Sequence, residues 1–166
     1  MKKLLFTTLL VICIISISNA QGYKTGVGLR AGFSAGGLRS GSLTGLTIKH
    51  FISPKSAFEG LLTTKWKGLE VTGLYEIYNH PFETKRLNLY TGIGGHICFY
   101  DGDNLPWTAD SKNVTAIGLD GILGLEYSFL KAPVNISLDW KPDFTHIERV
   151  HDFSVLVGGL SIRYIF

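Results

Sequence analysis

Residues 153–166 of the chain read FSVLVGGLSIRYIF, and this stretch decides how the rest of the sequence is interpreted. A β-strand sends successive side chains to opposite faces, so every second residue shares a face. One alternating set ends in large apolar groups, namely Leu160, Ile162, Tyr164 and Phe166. The other set contains Ser161 and Arg163. This pattern suits the last strand of a transmembrane barrel and also a buried edge strand of a soluble β-domain.

A family resemblance favours the barrel. An aromatic residue in the last place, with apolar residues at alternate positions before it, resembles the C-terminal strand of bacterial outer-membrane β-barrels. In that family the barrel assembly machinery recognises the terminal strand. The resemblance implies that this machinery is a partner of the chain. It also implies an assembly signal made of Leu160, Ile162, Tyr164 and Phe166.

The beginning of the chain has the pattern of a secretory signal peptide. Two lysines precede an apolar run over residues 4–17, and Ser-Asn-Ala at 18–20 provides a cleavage point. The run is too short, and flanked in the wrong way, for a lasting transmembrane helix. We therefore predict a signal peptide at 1–20 and one exported domain at 21–166.

Charge and cysteine content limit what the exported domain can be. The full chain has 16 lysines and arginines against 13 acidic residues, and two of the lysines lie in the leader. This near balance gives no reason to expect a nucleic-acid partner. Cys98 is the only cysteine after the leader, so no intrachain disulfide can form. No later stretch has the roughly 18 apolar residues of a transmembrane helix, so strands must make any membrane span.

The exported domain divides into eight segments that alternate with a period of two. The predicted strands cover residues 23–34, 43–52, 57–64, 69–78, 87–100, 114–127, 134–141 and 153–166. Loops and short turns alternate between them, and the two longest connections, 101–113 and 142–152, fall on one side. Short periplasmic turns and longer outer loops are typical of transmembrane barrels, and an even strand number puts both termini in the periplasm. The prediction is an all-β, eight-stranded, antiparallel up-and-down transmembrane β-barrel.

The sixth predicted strand shows most clearly which face is which. Leu119, Leu123 and Leu125 share one face, and Asp120 and Glu126 share the other. A barrel in lipid turns the apolar face outwards and encloses the charges. A soluble lipocalin-like barrel is the alternative fold, and it would need the opposite arrangement.

Two further stretches resemble a narrower group within the outer-membrane barrels. Residues 118–127 read GLDGILGLEY, and residues 135–142 read NISLDWKP. Together with the rest of the exported domain they resemble small outer-membrane barrel proteins of the Bacteroidetes type. The resemblance implies a location in the bacterial outer membrane, in contact with its lipid. It implies little defined biochemistry.

The inward faces of the predicted strands collect five basic and six acidic residues. They are Lys24, Arg30, Lys49, Glu59, Glu70, Glu76, Asp120, Glu126, Asp139, Lys141 and Arg163. An eight-stranded barrel is just wide enough for side chains to fill its interior. Unpaired charges in so narrow a space would carry a large desolvation cost. We therefore predict a salt-bridge network that fills the lumen, with a narrow polar pore as the alternative.

The sequence predicts no catalytic, cofactor-binding or metal-binding residues. His151, Asp152 and Ser154 have the residue types of lipid A-modifying barrels, but their spacing does not make them face each other. His96 and Cys98 share an inward face, yet two ligands are too few for a metal site. We predict a non-catalytic barrel with a structural or surface-interaction role. A small-molecule or lipid-binding barrel is the alternative, and neither ligand nor surface partner can be named.

Overall fold

The structure is a computed structural model that describes residues 24–35, 40–65, 68–79, 81, 84, 86–100, 113–147 and 150–166. All of its regular elements are strands. They are β1 (Thr25–Ala35), β2 (Gly41–Ser53), β3 (Ser56–Lys65), β4 (Gly68–Asn79), β5 (Leu87–Tyr100), β6 (Val114–Ser128), β7 (Val134–Trp140), β8 (Asp143–Ile147), β9 (Val150–Ser154) and β10 (Leu156–Ile165). The predicted signal peptide at 1–20 lies outside the described residues.

The strands form a closed antiparallel barrel. Each strand from β1 to β6 pairs with its sequence neighbour, and β10 pairs with both β1 and β7. β7 and β8 both pair with β6, so together they form the seventh strand of the barrel. β9 and β10 form the eighth. The predicted eight-stranded all-β barrel is therefore confirmed.

The pairing of β1 with β10 closes the barrel and brings the two described ends of the chain together. Gly26 lies opposite Ile165, and the Thr25 N–H donates to the Phe166 carbonyl at 3.0 Å. The Phe166 N–H donates back to the Thr25 carbonyl at 2.9 Å. We call this the terminal end of the barrel, and the opposite end the distal end.

The structure corrects the predicted loop at 142–152, because β8 and β9 occupy most of it. Asp120 pairs with Asp143 in the same register in which Leu123 pairs with Trp140, so the seventh strand passes straight through Pro142. Proline has no N–H to donate, but the Pro142 carbonyl accepts a hydrogen bond from the Gly121 N–H at 3.0 Å. The paired residues on either side of Pro142 keep the strand in register. The connection between β8 and β9, residues 148–149, lies outside the described residues.

The eighth strand contains an irregularity that the alternation did not predict. Val155 belongs to neither β9 nor β10, and the register shifts by one residue across it. Ser154 therefore shares the inner face with Val157, whereas the sequence pattern placed these two on opposite faces. One extra residue in a strand behaves as a β-bulge. The Trp140 indole N–H donates to the Val155 carbonyl at 2.5 Å, which gives this carbonyl a partner.

Outside and inside differ sharply in chemistry. Large apolar side chains cover the outer face of every strand, with Ile93 73 % and Leu119 69 % exposed. The interior is mainly polar but holds two apolar clusters. One consists of Ala57, Leu61, Leu74, Tyr78, Tyr90 and Ile122. The other, at the distal end, consists of Cys98, Tyr100, Val114, Ala116 and Ile147.

The described residues contain no helix long and apolar enough to span a membrane.

Candidate functional site

The interior of the barrel holds nearly all the charged residues selected from the sequence. Ten of those eleven side chains are at most 5 % exposed. The exception is Lys24, whose predicted place in the lumen is corrected. Lys24 falls in the inward-facing set of the alternation, but β1 begins only at Thr25 and the Lys24 side chain is exposed. Side chains alternate regularly between the two faces only within a strand.

The balance of interior charge also differs from the prediction. All eight acidic residues in the described part of the chain are buried, and two of them, Asp143 and Asp152, fall in the stretch predicted as a loop. The buried bases are Arg30, Lys49, Lys141 and Arg163. Eight acids therefore face four bases, instead of six facing five. The excess of acid is concentrated towards the distal end.

Arg163 and Glu59 lie at the centre of the interior. The Arg163 guanidinium forms an ion pair with Glu59 and approaches Glu126 at 3.7 Å. Its other N–H groups donate to Thr47 at 3.0 Å and to Ser137 at 2.8 Å. An arginine with five N–H donors suits such a site, because it can bind several strands at once. Arg163 thus links the last strand to β2, β3, β6 and β7.

Lys49 contributes the second central cation. Its ammonium lies 3.2 Å from Glu59, 2.8 Å from Glu76 and 3.4 Å from Glu126. It also donates to the Tyr78 hydroxyl at 2.8 Å and lies 4.2 Å from the centre of the Tyr90 ring. A buried ammonium is tolerated only with such partners. Three carboxylates from three different strands therefore converge on one lysine.

Arg30 and Asp139 form a third contact set, with two parallel hydrogen bonds of 2.7 Å and 2.5 Å. Tyr90 donates to the same carboxylate at 3.2 Å, so this pair is joined to the ring that covers Lys49. A Cβ at Gly159 would overlap the Arg30 guanidinium, so any other residue there would displace this guanidinium from its present position. The central network is defined as Arg30, Lys49, Glu59, Glu76, Glu126, Asp139 and Arg163.

A separate group of polar side chains lies nearer the distal end. Lys141 forms an ion pair with Asp120 and lies 3.5 Å from Glu70. His96 contacts Asp120 through Nδ1 at 2.8 Å, and the Cys98 thiol donates to Glu70 at 3.2 Å. The distal cluster is defined as Glu70, His96, Cys98, Asp120 and Lys141.

The histidine, acid and serine that lie close together in the sequence at 151–154 do not come together in the structure. Asp152 and Ser154 are buried in the lumen, while His151 points outwards and contacts His146 at 3.1 Å. His96 does lie between Asp120 and the Thr145 hydroxyl, 2.9 Å from Nε2, which is the order of a nucleophile–histidine–acid triad. Thr145 is 0 % exposed and its hydroxyl also contacts Asp143. A substrate cannot reach that hydroxyl in this conformation.

Several interior partners were missed because they carry no charge. Tyr78 donates to Glu126 at 3.1 Å, and Asn135 accepts from Arg163 at 3.4 Å. Thr47 and Ser137 have the same role. The alternation of side chains along the strands already places all four residues on inward faces, so the sequence pattern was sufficient to predict them. Charge alone does not identify these neutral groups, although they hydrogen-bond to the charged side chains.

Neither a protein-family model nor a curated protein sequence matches this chain. Among solved structures, the chain is similar to the N-terminal β-barrel domain of OprF from Pseudomonas aeruginosa. The TM-score is 0.60 at 14 % sequence identity, over 88 % of this chain and 100 % of that domain. Identity this low shows the fold alone, a small eight-stranded β-barrel. The narrower Bacteroidetes-type family remains a prediction.

Proposed function

We propose that this chain is a non-catalytic barrel of the bacterial outer membrane, with a structural or surface-interaction role and a lumen closed by its own side chains. One observation carries the proposal. The barrel has most of its large apolar side chains outside and every described acidic side chain inside. A soluble lipocalin-like barrel needs the reverse, because an apolar outer wall is stable only against lipid or another apolar surface.

The dimensions of the strands agree with a membrane span. β5 has 14 residues and β6 has 15. A strand rises about 3.3 Å per residue, and strands tilted by about 40° need only about 10 residues to cross an apolar band of about 25 Å. The exposed wall is also continuous around the barrel, because every strand contributes to it. Outer-membrane lipid is thus the partner that fits this wall.

The closed lumen separates this proposal from the pore alternative. An open pore would expose the side chains in the middle of the barrel to water. The four charged side chains there are each at most 1 % exposed, namely Arg163, Lys49, Glu59 and Glu126. Contacts across the lumen, such as Arg163 with Glu59, occupy the path that an ion would take. The apolar cluster of Cys98, Tyr100, Val114, Ala116 and Ile147 lies beyond them at the distal end. This packing leaves the rims as the surfaces for a partner.

The terminal strand supports the proposed role of the assembly machinery. Leu160 and Ile162 are 53 % and 50 % exposed on the outer face of β10, and Phe166 is 49 % exposed beside them. Tyr164 is half-buried. The set therefore presents a largely apolar outer surface that the machinery can recognise before β10 pairs with β1. In this proposal both ends of the chain lie in the periplasm.

Cell fractionation and gel mobility test the proposal together. The mature protein should sediment with the outer membrane, resist extraction without detergent, and migrate differently on a gel before and after boiling. A closed barrel that survives unheated detergent gives this shift in mobility. Recovery of the protein in the soluble periplasmic fraction, without detergent, would contradict the proposal.

A further inference from the structure

Three potential metal ligands converge in the distal half of the lumen. The pairing of β4 with β5 places Glu70 directly opposite Cys98. His96 precedes Cys98 by two residues and therefore points to the same inner face. The three side chains are 2 %, 3 % and 0 % exposed. One ligand atom from each lies within 4.8 Å of the others.

Their chemistry suits a transition-metal dication. Carboxylate oxygen, imidazole nitrogen and thiolate sulfur are all ligands of Zn²⁺, and three protein ligands with an open fourth position form a common type of zinc site. Metal–ligand bonds of about 2.0–2.3 Å put two tetrahedral ligand atoms about 3.3–3.8 Å apart. Cys98 Sγ and Glu70 Oε2 are 3.2 Å apart, joined by the thiol proton. An ion would replace that proton with a small adjustment.

His96 is held in the way that metal-binding histidines are held. Its Nδ1 contacts the Asp120 carboxylate at 2.8 Å, which leaves Nε2 for the ion. Nε2 lies 2.9 Å from the Thr145 hydroxyl, and the ion would replace that contact. A carboxylate behind the imidazole fixes the ring and makes it a better ligand. A Cβ at Gly118 would overlap the His96 ring, so this glycine leaves the space in which the ring lies. Asp120 would therefore be a positioning residue for the site.

The charge around the three ligands favours a cation. Glu70, Asp120, Asp143 and Asp152 are buried in this half of the barrel with one lysine, Lys141. Lys141 lies 3.5 Å from Glu70 Oε1, while Oε2 is the oxygen that contacts Cys98. Binding of a dication with release of the thiol proton adds one net positive charge to a region with excess negative charge. The lysine compensates only part of that excess.

We propose that Glu70, His96 and Cys98 form a binding site for a transition-metal dication of the Zn²⁺ type in the distal half of the lumen. The site extends the two-residue pattern of His96 and Cys98 by a third ligand from the neighbouring strand. It needs no substrate-sized opening, because the ligand is a single ion. It is also independent of whether the barrel has a partner at its surface.

Cobalt titration of the untagged mature protein, folded in detergent, tests the site. Co²⁺ is added both during refolding and after folding, so that a buried site is reached in either case. We expect one equivalent to bind with a thiolate-to-cobalt charge-transfer band, which Zn²⁺ abolishes by displacing the cobalt. Cys98 is the only cysteine at 21–166, so the band identifies its sulfur. Absence of the band under both conditions would overturn the proposal.

Three variants make the assignment specific. Cys98→Ser should abolish the band, and Asp120→Asn should weaken binding about 10- to 100-fold through the orientation of His96. The matched control is His146→Gln with His151→Gln, which removes the exposed histidine pair and should leave the band and the stoichiometry unchanged. Binding that survives Cys98→Ser but disappears in the double variant would place the metal on the outer surface. If Cys98→Ser does not fold, the wild-type spectrum with Cd²⁺ decides, because a thiolate–cadmium band supports the site and its absence overturns it.

Discussion

Arg163 on β10 and Glu59 on β3 form an ion pair across the lumen, although 104 residues separate them in the sequence. Two other strands, β1 and β2, lie between them around the wall. The pair therefore exists only when the barrel is closed. It also shares its carboxylate with Lys49, whose ammonium is 3.2 Å from Glu59. One acid thus holds two cations from opposite parts of the chain.

Neutralising that acid should cost more than neutralising any exposed charge. Glu59→Gln leaves Arg163 and Lys49 buried with less negative charge, and loss of one partner of a buried pair costs about 3–5 kcal/mol. We expect a loss of this size in the free energy of unfolding in lipid vesicles, measured by urea titration with tryptophan fluorescence. Lys131→Gln is the control, because Lys131 is exposed in a turn, and it should change stability by less than about 0.5 kcal/mol. Equal effects of the two substitutions would contradict the central role of Glu59.

The outer face should be sensitive to charge according to depth. Leu123 lies within β6 and is 42 % exposed on the outer face. Leu123→Arg should lower the free energy of unfolding in lipid vesicles by about 2–4 kcal/mol if this position meets the centre of the bilayer. Leu130→Arg is the control, since Leu130 lies in the turn after β6 and is 62 % exposed. It should cost only about 0–1 kcal/mol near the interface. A loss of stability at position 130 as large as that at 123 would argue against a bilayer around the barrel.

The bulge at Val155 should tolerate deletion. Removal of Val155 brings the pairing of β9 with β8 into the same register as the pairing of β10 with β7, so Ser154 stays inside and Leu156 stays outside. We expect this variant to assemble and to show heat-dependent gel mobility. Deletion of Leu160 is the control, because it interrupts a regular strand and turns its inner residues outwards. Failure of the Val155 deletion alone would mean that the bulge itself is needed for folding.

The last residues should matter for closure. The backbone of Phe166 exchanges two hydrogen bonds with Thr25, and Ile165 donates to the Pro133 carbonyl at 2.9 Å. A chain that lacks residues 164–166 loses these bonds and part of the proposed assembly signal. We expect less of it in the outer-membrane fraction than of the full chain. Phe129→Ala, at an exposed aromatic in a turn, is the control and should leave the amount unchanged. Normal insertion of the truncated chain would remove the role given to this strand.

The alternation of side chains along each strand accounts for most of what the sequence could predict, namely which residues face outwards and which inwards. In β6, Ile117, Leu119, Leu123 and Leu125 belong to one alternating set, and the structure does place Leu119 outside and Asp120 inside. The same period continues through residues 143–147, with Phe144 outside and Thr145 inside. This alternation was not predicted, because Pro142 and the polar residues around it are typical of loops. In this barrel, polar residues at alternate positions indicate an inner face.

The remaining features depend on geometry that no local pattern contains. The stagger of the strands decides that Arg163 meets Glu59 and that Lys141 meets Asp120, and stagger is a property of the closed barrel. The bulge at Val155 follows from the register of two hairpins that must join. The third ligand of the proposed metal site, Glu70, lies on β4, and only the alignment of β4 with β5 places it opposite Cys98. The alternation of residues therefore predicts the face of a side chain but not its partner on another strand.

The central claim is that side chains close the lumen, and conductance across a planar lipid bilayer tests it most directly. The purified, folded protein should insert and give no steady ohmic current, because Arg163, Lys49 and their carboxylates occupy the path. Glu126→Gln should lower the stability of the barrel, since the Glu126 carboxylate lies 3.4 Å from Lys49 and 3.7 Å from Arg163. Steady ohmic conductance of the wild-type protein, with Glu126→Gln changing ion selectivity and leaving unfolding unchanged, would contradict the closed lumen and establish a pore.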